Sequence, residues 1–134
     1  MNVLNVEGLI EAAFLAKKQS YAPYSNYHVG AALLDSDGEI YGGCNIENAA
    51  YSPTNCAERT AFFKAVSEGK REFAAIAIVG DNGERPAPCG VCRQVMSEFC
   101  DAGQFKIILA RSKTEYEIYT LEELLPQSFS MKQF

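Results

Sequence analysis

Apolar positions along the chain change period several times, and each change marks an element. From about Asn5 to Ser20, Val6, Leu9, Ile10, Ala13 and Phe14 recur at helical spacing. Gly8 weakens the first turn of that helix. The pattern is lost from Tyr21 to Tyr27, where Pro23 holds Ala22 extended, so a loop is predicted. Val29 to Leu34 is a continuous apolar run, as in a strand covered on both faces. Asp35-Ser36-Asp37-Gly38 is turn chemistry, and Ile40 to Cys44 returns as the hairpin partner. Asn45 to Tyr51 has no clear period and reads as loop. Ser52 before Pro53 predicts a helix start, with Ala57, Ala61, Ala65 and Val66 forming its apolar face as far as Gly69. Phe73 to Val79 is a second buried strand, and Asp81 to Pro88 is loop. Val91, Val95 and Phe99, four apart, predict a helix from near Cys89 to about Cys100. Phe105–Ala110 and Tyr116–Tyr119 read as strands. Thr120-Leu121-Glu122-Glu123 is a capping box opening a short helix that Pro126 stops. The tail from Gln127 is unassigned.

Helices alternating with strands in this order predict an α/β layer fold with a mixed sheet. No repeat or linker interrupts the order, so one domain over residues 1–134 is expected. The chain is 48% hydrophobic, enough for one full core. No apolar run approaches the ~18 residues that span a bilayer. The start, Met1-Asn2-Val3-Leu4-Asn5, lacks the build of a secretion signal, so a cytoplasmic protein with no membrane partner is expected. Net charge is −5 without a basic stripe, which argues against nucleic acid and for a small neutral or cationic substrate.

The five cysteines change the picture further. They stand at 44, 56, 89, 92 and 100, and an odd number without a secretion signal argues against a disulfide framework. His28 is the only histidine, which excludes any site needing two. Cys56, in Asn55-Cys56-Ala57-Glu58-Arg59, and Cys89 and Cys92, in Pro88-Cys89-Gly90-Val91-Cys92-Arg93-Gln94, fall at predicted helix starts. Free N–H groups and the positive dipole end favour thiolates there, the form that binds zinc. Spacing of three puts Cys89 and Cys92 on one side of a first turn. If the two helix starts face each other, three thiolates converge and a fourth zinc position stays open for water. Glu58, one residue removed from Cys56, can then handle protons. Three thiolates on one zinc leave an excess negative charge. Arg59 and Arg93 each adjoin a ligand and can donate to sulfur, and Arg59 is expected to neutralise the cluster in part.

Other readings of the same residues stand beside this one. Cys89 and Cys92 alone fit a redox pair. A closed structural zinc site would take Cys44, Cys100 or His28 as fourth ligand, although Cys44 and Cys100 read as core and His28 as a turn or surface residue. Glu58 alone would be a first-turn acid facing the helix dipole. Asn45 and Glu47 read equally as turn residues, and Phe129 as a packed tail residue.

Four stretches together resemble the small, single-domain cytidine deaminases over nearly the whole chain. They are Tyr21-Ala22-Pro23-Tyr24-Ser25 with Val29-Gly30-Ala31, Cys44-Asn45-Ile46-Glu47-Asn48-Ala49, Cys56-Ala57-Glu58-Arg59-Thr60-Ala61 and Pro88-Cys89-Gly90-Val91-Cys92-Arg93-Gln94. The last two mark zinc deaminases generally. The Asn-x-Glu segment and the all-Cys ligand set resemble the nucleoside branch. The resemblance implies a three-layer α-β-α fold around a mixed five-stranded sheet, with one Zn2+ per chain on Cys56, Cys89 and Cys92. It implies deamination of cytidine and 2′-deoxycytidine with release of ammonia, as in pyrimidine salvage, and Glu58 as the proton carrier. Asn45 and Glu47 would hold the ribose, with Ala57 and the aromatic ring at 27 also on the substrate. Family members usually carry Phe where this chain has Tyr27. Phe129 would reach a neighbour's site in a homotetramer with shared active sites.

Overall fold

The computed structural model describes residues 4–131. The elements run α1 (Val6–Lys17), β1 (Gly30–Asp35), β2 (Ile40–Cys44), α2 (Ala57–Ser67), β3 (Phe73–Val79), α3 (Gly90–Phe99), β4 (Lys106–Ala110), β5 (Tyr116–Thr120) and α4 (Leu121–Leu124). The strands form one sheet in the order β2-β1-β3-β4-β5. Only β3 and β4 pair in parallel; the other neighbours are antiparallel. This is the mixed five-stranded α/β sheet that the sequence and the resemblance led us to expect.

Residue parity explains the layers. Successive side chains of a strand point to opposite faces. Ala31, Leu33, Ile76, Ile78, Ile107 and Leu109 pack with Ala61, Phe62, Cys92 and Met96 of α2 and α3. The alternate residues Ala32, Ala75, Ala77, Ile108 and Ala110 pack with Leu9, Ile10 and Ala13 of α1. Both faces are therefore dry, which is why β1 and β3 read as unbroken apolar runs. Phe62 ties α2 to its surroundings, with ring centroids 5.1 Å from Phe73, 6.3 Å from Phe99 and 6.0 Å from Phe105. Such aromatic pairs add about 0.5–1.5 kcal/mol each beyond area burial.

One boundary moves in a way that matters for function. Ser52-Pro53 does not open α2; the helix starts at Ala57 with Cys56 as its N-cap. Thr54 donates to Tyr51 O in a turn, and Asn55 exchanges backbone hydrogen bonds with Ile46. Those pairings hold the chain extended up to Cys56, so the earlier cap has no helix to enter. The segment after β2, expected as featureless loop, is tethered in the same way: Ile46 bridges both Tyr21 and Asn55. The capping box at Thr120 and Glu123 forms as expected.

Gly43 fixes how closely α2 approaches β2. A Cβ there would meet Ala61 N at 2.6 Å and also strike Ala57 O. Gly43→Ala is therefore expected to cost about 1–3 kcal/mol by overpacking, read as a lower denaturation midpoint in urea; an unchanged midpoint would contradict the close approach.

Candidate active site

Cys56 and Cys89 are the N-caps of α2 and α3, each with extended backbone (ψ 157° and 167°). Their carbonyls accept the first helical bonds, from Thr60 N at 3.1 Å and Arg93 N at 3.0 Å. The two helix starts face each other. Cys56 Sγ lies 3.8 Å from Cys89 Sγ, and Cys89 Sγ lies 3.4 Å from Cys92 Sγ. All three sulfurs fall within 4.8 Å of one another. Sulfurs each ~2.3 Å from a tetrahedral zinc stand ~3.8 Å apart, so this donor set fits zinc in spacing and chemistry. Among the described residues it is the only group of three or more metal-ligating side chains so gathered. His28, Cys44 and Cys100 lie outside it, so the cluster offers three protein donors.

The electrostatics favour a cation between the thiols. A hydrogen bond from Cys92 pulls the Cys56 thiol down to about 5; burial opposes this, and Arg59 and Cys89 add to it. The same bond, with burial, pushes Cys92 up. Without a cation the sulfurs must share protons unequally; a dication lets all three be thiolates. Arg59 Nη2 donates to Cys56 Sγ at 3.3 Å, the contact expected of it. Arg93 does not share that role. Its Nε donates to Pro88 O and its Nη1 to Leu124 O, both at 2.7 Å, so it braces α3 against α4.

Glu58, second residue of α2, is 4% exposed. Burial pushes its carboxyl up to about 7, with its own backbone N–H opposing and the Cys56 thiolate adding. It lines a cavity of about 210 Å³ with Cys56, Ala57, Cys89, Asn45 and Glu47. The cavity opens at the C-terminal end of β3, where α/β sheets place ligands. A larger groove of about 720 Å³, at Leu4, Leu34, Asp35 and Lys106, lies at the other end of the sheet and holds none of these groups.

Asn45 and Glu47 are held by hydrogen bonds. Asn45 Oδ1 accepts from Val29 N at 2.9 Å and from Ser20 Oγ, and its Nδ2 donates to Tyr27 O at 2.9 Å. One N–H of the amide is left over. Glu47 Oε1 accepts from Tyr24 N at 2.9 Å and Ser25 N at 3.1 Å, and Oε2 accepts from Ser25 Oγ. The Ser25 hydroxyl and these N–H groups outweigh burial and hold the carboxyl below its usual range.

Two predicted residues lie off the cavity lining. Tyr27 faces an adjoining groove with Glu84, Arg85 and Arg111, which shares Pro86 with the cavity. Phe129 is 61% exposed, and its carbonyl accepts from Gln94 Nε2 at 3.1 Å. Sequence reasoning missed Thr54, Ile78, Pro86 and Ala87 as cavity walls. Only the position of Pro86 and Ala87 just before Pro88-Cys89 hinted at them.

Residues 5–108 match the family described as the cytidine and deoxycytidylate deaminase zinc-binding region. A cytidine deaminase of Sporosarcina psychrophila is 55% identical over 127 residues, covering 95% of this chain and 93% of its own. One from Halalkalibacterium halodurans is 51% identical over 122 residues, covering 91% and 92%. The crystal structure of cytidine deaminase from Burkholderia pseudomallei matches with a TM-score of 0.88 at 47% identity, covering 94% of this chain and all of that one.

Arg59→Gln is expected to weaken zinc binding by about 10–100-fold, the usual effect of losing a group that braces a metal ligand. Chelator competition reads it, and wild-type affinity in the variant would show that the Arg59–Cys56 contact does not tune the metal.

Proposed function

The chain belongs to the cytidine and deoxycytidylate deaminase zinc-binding family, and from that premise we propose that it hydrolyses cytidine and 2′-deoxycytidine to the uridine products and ammonia. The observation that carries this is the buried Glu58 carboxyl in one cavity with a three-thiol zinc site. We assign Cys56, Cys89 and Cys92 as the ligands of one zinc. When bound, zinc supplies the Lewis acid that makes water nucleophilic at neutral pH.

The residues divide the remaining work. Glu58 accepts a proton from water at its carboxylate and returns protons to the ring nitrogen and the departing amine. Its burial keeps bulk water from competing for those protons. Burial that raises the carboxyl above its usual range suits a group that must both take and give a proton. Arg59 offsets part of the thiolate charge that would blunt the metal. Asn45 retains one N–H, and Glu47 Oε2 retains an acceptor site. One donor and one acceptor suit adjacent sugar hydroxyls, which both accept and donate. Ala57 lies in the wall between Cys56 and Glu58, and we assign it to contact with the base. The ring of Tyr27 borders the cavity through Pro86.

We further read residues 1–134 as a single deaminase domain acting in pyrimidine salvage in the cytoplasm. Phe129, exposed and outside its own cavity lining, fits a role in a neighbouring subunit's site within a homotetramer. No described helix is long and apolar enough to cross a membrane.

Glu58→Gln keeps the shape and removes the proton carrier. It is expected to retain about one zinc per chain and lose about 10²–10⁴ in rate, measured as ammonia release from cytidine. Near wild-type turnover with zinc retained would overturn the assignment of Glu58.

A further inference from the structure

The segment from Tyr24 to Val29 is fastened to both sides of the catalytic cavity. On one side Asn45 grips Tyr27 O and Val29 N, while Glu47 grips Tyr24 N and Ser25. On the other side Asp81 accepts from His28 N at 2.7 Å and pairs with His28 Nδ1 at 2.8 Å. Lys17 Nζ completes that fastening from α1, donating to Asp81 Oδ1 at 3.0 Å and Gly80 O at 3.1 Å. Asp81 opens the loop that carries Pro86 and Ala87 into the cavity wall and ends at Pro88-Cys89.

Tyr27 is the packing contact between these two sides. Its hydroxyl sits where a side chain of residue 80 would begin. A Cβ on Gly80 would overlap that oxygen and press Pro86 Cγ and Cδ at 3.0 Å. Partial burial, with the Glu84 carboxylate nearby, raises the pKa of the phenol and favours its neutral form.

We propose that the Tyr27 hydroxyl, seated in the notch left by the missing side chain of Gly80, is a positioning element for substrate binding. It fixes the separation between the Asn45–Glu47 wall and the Pro86–Ala87 wall. The substrate side of this inference rests on the deaminase reading above. Tyr27 acts here through the walls it spaces. An added methyl at position 80 pushes the Pro86 loop outward, and loss of the phenol oxygen leaves room for that methyl. The pair exchanges about one heavy atom for another, so the two substitutions should compensate.

The test is a double-variant cycle on the zinc-loaded protein: wild type, Y27F, G80A and Y27F/G80A. KM, kcat, zinc content and Tm are measured for each. G80A is expected to raise KM for cytidine about tenfold with kcat within about threefold, because the walls are misplaced while the zinc and Glu58 are not. Its Tm should fall by about 5 °C from overpacking. Y27F alone should also raise KM, by about threefold or more, because the spacing oxygen is gone, and Y27F/G80A should return KM and Tm to within about twofold and 2 °C of wild type, the new methyl taking the place of that oxygen. If G80A does not fold, a folded and active Y27F/G80A is the same compensation in stronger form. A G80A protein with wild-type KM and Tm overturns the proposal, as does a Y27F protein with wild-type KM or a double variant no better than G80A. A zinc-loaded wild type that releases no ammonia from cytidine overturns the deaminase reading instead. The Tm cycle separates the two failures, since absence of Tyr27–Gly80 coupling in Tm overturns the proposal whatever the substrate.

Discussion

Three thiols within 4.8 Å of one another repel if all are thiolates, and much of the fold serves to hold them there. Two of them cap helices whose starts point at each other, so each sulfur sits in the positive field of free N–H groups. A dication resolves the conflict that remains, because it lets every sulfur ionise. Arg59 sits against Cys56 to spread the excess charge.

The cavity beside that point is shaped by backbone hydrogen bonds as much as by side chains facing it. Asn45 and Glu47 spend most of their hydrogen-bonding capacity on the segment from Tyr24 to Val29. What each has left, one donor and one acceptor, is what a sugar edge can use. The same residues therefore build the wall and present its polar groups. Reading Asn45 and Glu47 as either turn residues or ligands sets up a false choice, since the geometry that makes each a wall also leaves each a polar group facing the cavity.

The sheet was legible because strands dry on both faces leave continuous apolar runs, and Val29–Leu34 and Phe73–Val79 do so plainly. The convergence of three thiols beside the Glu58 carboxyl was legible because they sit in short segments of fixed spacing. The start of α2 was not. Ser52-Pro53 is a sound local cap signal, but the Ile46–Asn55 bridge, a contact between distant segments, overrides it. Arg93 looked equivalent to Arg59 in sequence, yet its guanidinium turns to Pro88 and Leu124 because α4 packs there. Pro86 and Ala87 gave no chemical signal; they matter only through where the loop after β3 runs. Local pattern revealed what local physics decides, and tertiary pairing decided the rest.

Everything assigned to the cavity rests on a zinc site with three sulfurs and one open position. X-ray absorption at the zinc edge, on the zinc-loaded protein, reads that shell. Three sulfur neighbours at ~2.3 Å and one lighter oxygen neighbour at ~2.0 Å are expected. A shell of four sulfurs, drawing in Cys44 or Cys100, would make the metal structural and overturn the assignment.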